Sequence, residues 1–207
     1  MDVWPAIAQE RAALVDALAA LPDDAWHKPS LCTGWTVRDV VAHLVATAQM
    51  TPPGFVGKLA RHRFSFDRMT AAEIARVQAD APTPADLVGL LRARVEARTA
   101  PPGPAPSWLG ETVVHGEDVF RALGAYRDHP AEHVVAVADF YTRSNLLIGS
   151  KRRIEGVTLR ATDLDWTHGS GPEVTGPGIA LVMAMTGRTT ALADLTGDGV
   201  PVLRSRA

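Results

Sequence analysis

LGETVVHGEDVFRALG, residues 109–124, carries a Glu and a His one helical turn apart, Glu111 and His115. Side chains at i and i+4 share one helix face with Cβ atoms about 5–6 Å apart, near enough to hold one ion. A helical wheel of residues 108–124 gathers Leu109, Val113, Gly116, Val119, Phe120 and Leu123 on one side and Glu111, His115 and Asp118 on the other. Upstream, TGWTVRDVVAHLVATAQ, residues 33–49, behaves alike: Val37, Val40, Val41, Leu44, Val45 and Ala48 form a core face, and His43 falls away from it beside Asp39 and Thr47. One carboxylate and two imidazoles, from Glu111, His115 and His43, form the donor set of zinc sites that keep a fourth position open for water or substrate. The plain alternative is that both polar stripes are solvated faces of amphipathic helices. Asp39, one turn before His43, could accept a hydrogen bond from its non-ligating nitrogen. Asp118 is a reserve fourth ligand or an exposed helix acid.

The helical pattern extends through the first 150 residues. Ile7, Ala8, Leu14, Leu18 and Leu21 recur at helical spacing over 3–21. PDDAWHKPSLCTGW is an irregular connection closed by Thr36, an N-cap with Asp39 three residues on in an Asp variant of the capping box. Further helices are expected over 55–79, with breaks, and from Pro82 and Pro84 to about 99. PPGPAPS is a loop, and another helix runs over 131–150 after Gly124. From Val157 the period shifts toward two: VTLRATDLDW and PEVTG flank THGSG, giving two strands and a Gly-rich turn. GPGIALVMAMTGR then reads as a short buried helix closed by Gly187. The fold class is mainly α, a helical bundle over 1–150 with a small α+β region over 151–207.

Composition narrows the function. The 207 residues are 46% hydrophobic and 21% charged with net charge −2, which leaves no nucleic-acid or membrane footprint. No apolar run approaches the ~20 residues that span a bilayer, and the N-terminal stretch lacks the basic and apolar regions of a signal peptide. A cytoplasmic location is expected. The basic residues are nearly all Arg, with Lys at 28, 58 and 151, as in chains from high-GC genomes. Cys32, the lone cysteine, excludes an internal disulfide and any zinc site built from several Cys. It is expected to be a small buried hydrophobe, so thiol chemistry would need a small-molecule thiol unless Cys32 supplied the sulfur.

PSLCTGWTVRDVVAHL followed by ETVVHGEDVFRALG resembles the mycothiol-dependent maleylpyruvate isomerase family, within the DinB-like four-helix-bundle superfamily. The resemblance covers most of residues 1–150 and extends more weakly over LRATDLDWTHGSGPEVTGPGIALVMAMTGR, which is similar to the small C-terminal domain of that family. It implies that His43, Glu111 and His115 bind a divalent metal, zinc or else nickel, and that the open position receives the thiol of mycothiol. The partners it implies are that thiol and a small electrophile. The reaction is then cis–trans isomerisation, or transfer if the adduct is kept.

Both reactions need groups that hold an enolate or carboxylate, and Arg38, Arg121, Arg160 and Arg188 are candidates by type. His168, in a turn, is a candidate acid or base. Trp35 and Trp166 are candidates for a pocket wall or for core plugs. His27, His62, His129 and His133 carry no usable spacing signal. Two other functions remain open: a metal-dependent hydrolase with water in the open position, and a non-catalytic metal-binding protein of the same fold.

Overall fold

The computed structural model describes residues 2–146 and 148–207. Its contacts divide the chain into two compact units, one up to Arg127 and the other from Asp128.

The first unit is built on six helices: α1 (Trp4–Ala19), α2 (Val37–Gln49), α3 (Pro52–Arg61), α4 (Phe66–Asp80), α5 (Pro84–Arg92) and α6 (Ala105–Phe120). Helix α1 packs on α5 and α6, and α2 packs on the same two, so α1, α6, α2 and α5 close a ring of four. Helix α4 lies against α2 outside that ring. Leu14, Leu18, Val40, Val41, Val45, Leu87 and Leu91 fill the core, with Trp26 from the connection between α1 and α2. Helix α2 touches α4, α5 and α6 at once, which is why Ala42, Ala46 and Thr47 are buried along with its expected core face.

Helix starts follow local chemistry. Thr36 and Thr83 each form a full capping box, with Asp39 and Asp86 three residues on, and Thr51 and Ser65 cap α3 and α4 through their hydroxyl oxygens. The break expected within 55–79 falls between α3 and α4, at a turn in which Arg63 and Phe64 take φ of 56° and 60°. Helix α5 ends at Arg92 and not near 99, and the carbonyls of Arg94 and Ala97 accept from the buried Arg11 of α1. Gly124, at φ 71°, closes the turn that follows α6, as expected of a helix stop.

In the second unit the segment expected to be one helix over 131–150 is α7 (Ala131–Arg143) followed by a break before the short α8 (Ser150–Arg153); Leu147 lies outside the described residues. Helix α7, grouped by sequence with residues 1–150, packs on α9 (Gly178–Met185) inside this second unit. The sheet has three strands where two were expected: β1 (Thr158–Ala161), β2 (Thr167–Gly169) and β3 (Glu173–Gly176), in the order β2-β1-β3. Strand β1 pairs antiparallel with β2, placing Leu159 opposite His168, and parallel with β3, placing Leu159 opposite Val174. THG is therefore a strand and not part of a turn. A Cβ on Gly169 would stand 2.2 Å from the Val157 carbonyl oxygen, so this edge demands glycine. Helix α9, buried from Ala180 to Met185, packs on β1 and β3, and a final short helix, α10 (Val200–Arg204), completes the unit.

Candidate metal centre

The Thr36–Asp39 box fixes where α2 starts and therefore which way His43, two turns later, points. It points at α6. His43 Nε2 stands 3.5 Å from Glu111 Oε1, and the His43 and His115 rings meet edge to face with centroids 5.1 Å apart. His43, Glu111 and His115 are thus brought together by two helices of the ring. All three side chains are mostly buried, so the stripes are inward-facing and the reading as solvated helix faces is corrected.

A second cluster adjoins the first. His115 Nδ1 lies 2.9 Å from Asp118 Oδ2, and the Cys32 thiol donates to the same oxygen at 3.0 Å while its sulfur stands 3.5 Å from His115 Nδ1. Asp118 is fully buried, not an exposed helix acid, and Cys32 is a half-buried polar participant, not an apolar filler. Among the described residues, Cys32, His115 and Asp118 are the donors whose ligand atoms lie within 4.8 Å of one another.

Distances separate the roles of the two clusters. Nitrogen and oxygen ligands of a tetrahedral ion, each about 2.0–2.1 Å from it, sit roughly 3.3–3.4 Å apart. The 3.5 Å between His43 and Glu111 matches that edge, and Glu111 Oε1 is buried with no hydrogen-bond partner. An orphaned buried carboxylate oxygen costs free energy unless a cation or donor meets it. The 2.9 and 3.0 Å contacts around Asp118 are instead ordinary hydrogen bonds. His43 and Glu111 therefore fit one edge of a divalent-cation site, whereas His115 shares with Cys32 and Asp118 the described donor group whose ligand atoms lie within 4.8 Å of one another.

Electrostatics distinguish the two imidazoles. Burial, reinforced by the neighbouring His115, pushes His43 down to about 3, so it is a neutral donor at ordinary pH. Burial raises Glu111 despite His115, a hydrogen bond from Thr47 and the charge of Arg11. For His115, burial acts against protonation, but the Asp118 and Cys32 contacts outweigh it and hold the ring up at about 10. A small cavity borders Glu111, lined also by Arg11, Leu44, Thr47, Trp108 and Thr112. Trp35 packs its ring 5.1 Å from that of His43 and 6.3 Å from that of His115, so it lines the centre.

Asp39 does not orient His43. One of its oxygens accepts from the backbone and hydroxyl of Thr36, the other from Gln78. Arg38 donates to the carbonyls of Ala81 and Pro82, and Arg121 pairs with buried Glu117. In the second unit, exposed Arg160 pairs with Glu173, Arg188 donates to the Thr186 carbonyl, His168 stacks on Trp166, and Trp166 donates to Asp139. None of these contacts involves His43, Glu111 or His115. The residues that sequence underrated are Cys32 and Asp118. Asp118 carried a usable signal, its i+3 spacing from His115; Cys32 carried none.

The family model described as the mycothiol maleylpyruvate isomerase N-terminal domain matches residues 7–135, more than half of the chain. The chain belongs to the mycothiol maleylpyruvate isomerase family. Two solved structures resemble it closely in fold, crystal structures of the mycothiol-dependent maleylpyruvate isomerase in unmodified and mutant form. They have TM-scores of 0.62 and 0.61, identities of 18% and 17%, and cover 93% of this chain and 90% of theirs. At that identity they establish a shared fold, a mainly α bundle with a small C-terminal α+β region, as expected from sequence. No curated protein matches the chain. Among the described residues no helix is long and apolar enough to cross a membrane.

Proposed function

We propose that this member of the maleylpyruvate isomerase family is an enzyme that uses one divalent metal, zinc or else nickel, held by His43, Glu111 and His115, to activate the thiol of mycothiol against a small electrophile. The observation that carries the reading is the buried, unpartnered Glu111 Oε1 at 3.5 Å from His43 Nε2. A divalent ion there would hold a bound thiol in its reactive thiolate form at neutral pH. His43 is ready to ligate without first losing a proton. Glu111 brings the negative charge that offsets part of the ion's own, and Trp35 walls the imidazoles with an apolar face that limits water. The reaction class is addition of the thiol sulfur to an electrophilic carbon. Expulsion of the same sulfur after rotation about the former double bond is isomerisation; retention of the sulfur is transfer.

Metal content decides the first half of this reading. Protein purified without a His tag should carry about one equivalent of a divalent ion, and His43→Ala little. A wild type that takes up no zinc on incubation would overturn the metal reading. Cobalt substitution tests the second half, because thiolate ligation changes the cobalt spectrum when mycothiol is added. A spectrum indifferent to thiol would point instead to water in the open position or to a centre without catalysis.

A further inference from the structure

The Asp118 carboxylate is the most deeply placed charge near the centre, with no exposed surface, and it sits on α6 one turn beyond His115. A carboxylate removed from water must be met by donors. Its Oδ2 is met twice, by His115 Nδ1 at 2.9 Å and by the Cys32 thiol at 3.0 Å. The loop that delivers Cys32 is itself fixed to this residue: the Leu31 amide donates to the Asp118 carbonyl at 3.0 Å. The Cys32 amide donates to Ser30 Oγ, and the Trp35 amide donates to the Cys32 carbonyl, so the thiol leaves a tight turn in one direction. Loop and helix therefore close around one imidazole nitrogen.

An imidazole whose Nδ1 donates to a carboxylate has only Nε2 to offer an ion, and such a partner also makes the ring a stronger base toward the metal. We propose that Asp118 is a positioning residue of the centre, holding the Nδ1 proton of His115 so that the ring presents Nε2 to the metal, and that Cys32 is the thiol donor that fixes the accepting oxygen of Asp118. The proposal rests on the reading that His115 is a ligand, and it assigns Cys32 and Asp118 a place outside the coordination shell. The competing arrangement uses the same three residues differently, with Cys32 sulfur, His115 Nδ1 and Asp118 as direct ligands.

Nitrogen NMR of the imidazoles in zinc-loaded wild-type protein separates the two. Positioning by Asp118 gives His115 a protonated Nδ1 and a metal-bound Nε2; a metal-bound Nδ1 would overturn it. Zinc affinity, measured by chelator competition on the full chain, should fall about 10- to 100-fold in Asp118→Asn. It should stay near wild type in Cys32→Ser, which keeps a donor. Unchanged affinity in Asp118→Asn would overturn the proposal, as would Cys32→Ala losing the full equivalent of zinc, since that marks a direct ligand. A merely structural role would shift thermal stability in Asp118→Asn without moving the His115 tautomer. If the wild type itself binds no zinc, the underlying metal reading fails too, an outcome distinct from a wild type that binds and a variant that binds equally well.

Discussion

Glu111 is out of place in a metal-free protein. Its carboxylate is buried, one oxygen lacks a partner, and burial raises its pKa against three favourable neighbours. Such a group is kept at the expense of stability when its use lies elsewhere. Glu111→Gln removes the charge at nearly constant volume, so in the presence of a chelator the variant should unfold at higher temperature than the wild type, by about 1–3 kcal/mol in stability. With zinc present the order should reverse, because the variant forfeits the metal. A chelator-treated variant less stable than the wild type would mean that Glu111 is satisfied by the protein and is not waiting for a cation. The same residue shows how far sequence reaches at this scale. Glu111 and His115 share a helix, and i, i+4 spacing shows on the page; Cys32 meets Asp118 only because the loop before α2 folds onto α6, a contact spanning 86 residues that no local pattern encodes.

Helix α3 is the element with least to hold it. None of its ten residues is buried, and besides a tilted Phe55–Phe66 ring contact with centroids 6.5 Å apart its described tether to α4 is polar: Lys58 bonds Glu73, which also accepts from Arg76, and Arg76 reaches on to Gln49 at the end of α2. Burial alone would raise the Glu73 pKa, but the bonds from Lys58 and Arg76 outweigh it and hold the carboxyl below its ordinary value. A depressed carboxyl contributes its stability fully above the ordinary Glu pKa of about 4.3 and loses it as pH falls through the lower folded value. Hydrogen-exchange protection of residues 52–61 should therefore drop in Glu73→Gln at neutral pH, and wild type should converge on the variant in acid. Equal protection in the two proteins at neutral pH would show that α3 is held by something other than this tether. Sequence placed the start of α2 correctly because Thr36 and Asp39 form a local capping box. It could not locate the break between α3 and α4 because the turn there uses Arg63 and Phe64 at positive φ, residues that give no glycine or proline signal.

At the scale of the whole molecule, sequence periodicity identifies helices but not their neighbours. Helix α7 has the same amphipathic pattern as the bundle helices, yet the fourth member of the ring is the nine-residue α5, and α7 packs in the unit that starts at Asp128. Apolar stripes on α5 and α7 are equally good partners until the turn that ends α5 at Arg92 and the sheet that receives α9 fix which surface each covers. The ring matters for function because the proposed ligands lie on α2 and α6, which are far apart in sequence and adjacent only when the first unit is folded. An unfolded chain offers no preformed set of donors, so metal binding is linked to folding of that unit. Zinc held at 100 times its dissociation constant should stabilise the first unit by about 2.7 kcal/mol. Hydrogen exchange should then show the added protection in the loop before α2, in α2 and in α6, with His43→Ala showing none. Protection that appears instead in residues 150–188, or that persists in His43→Ala, would place the ion at a different site, because an ion held by His43, Glu111 and His115 ties these two helices first.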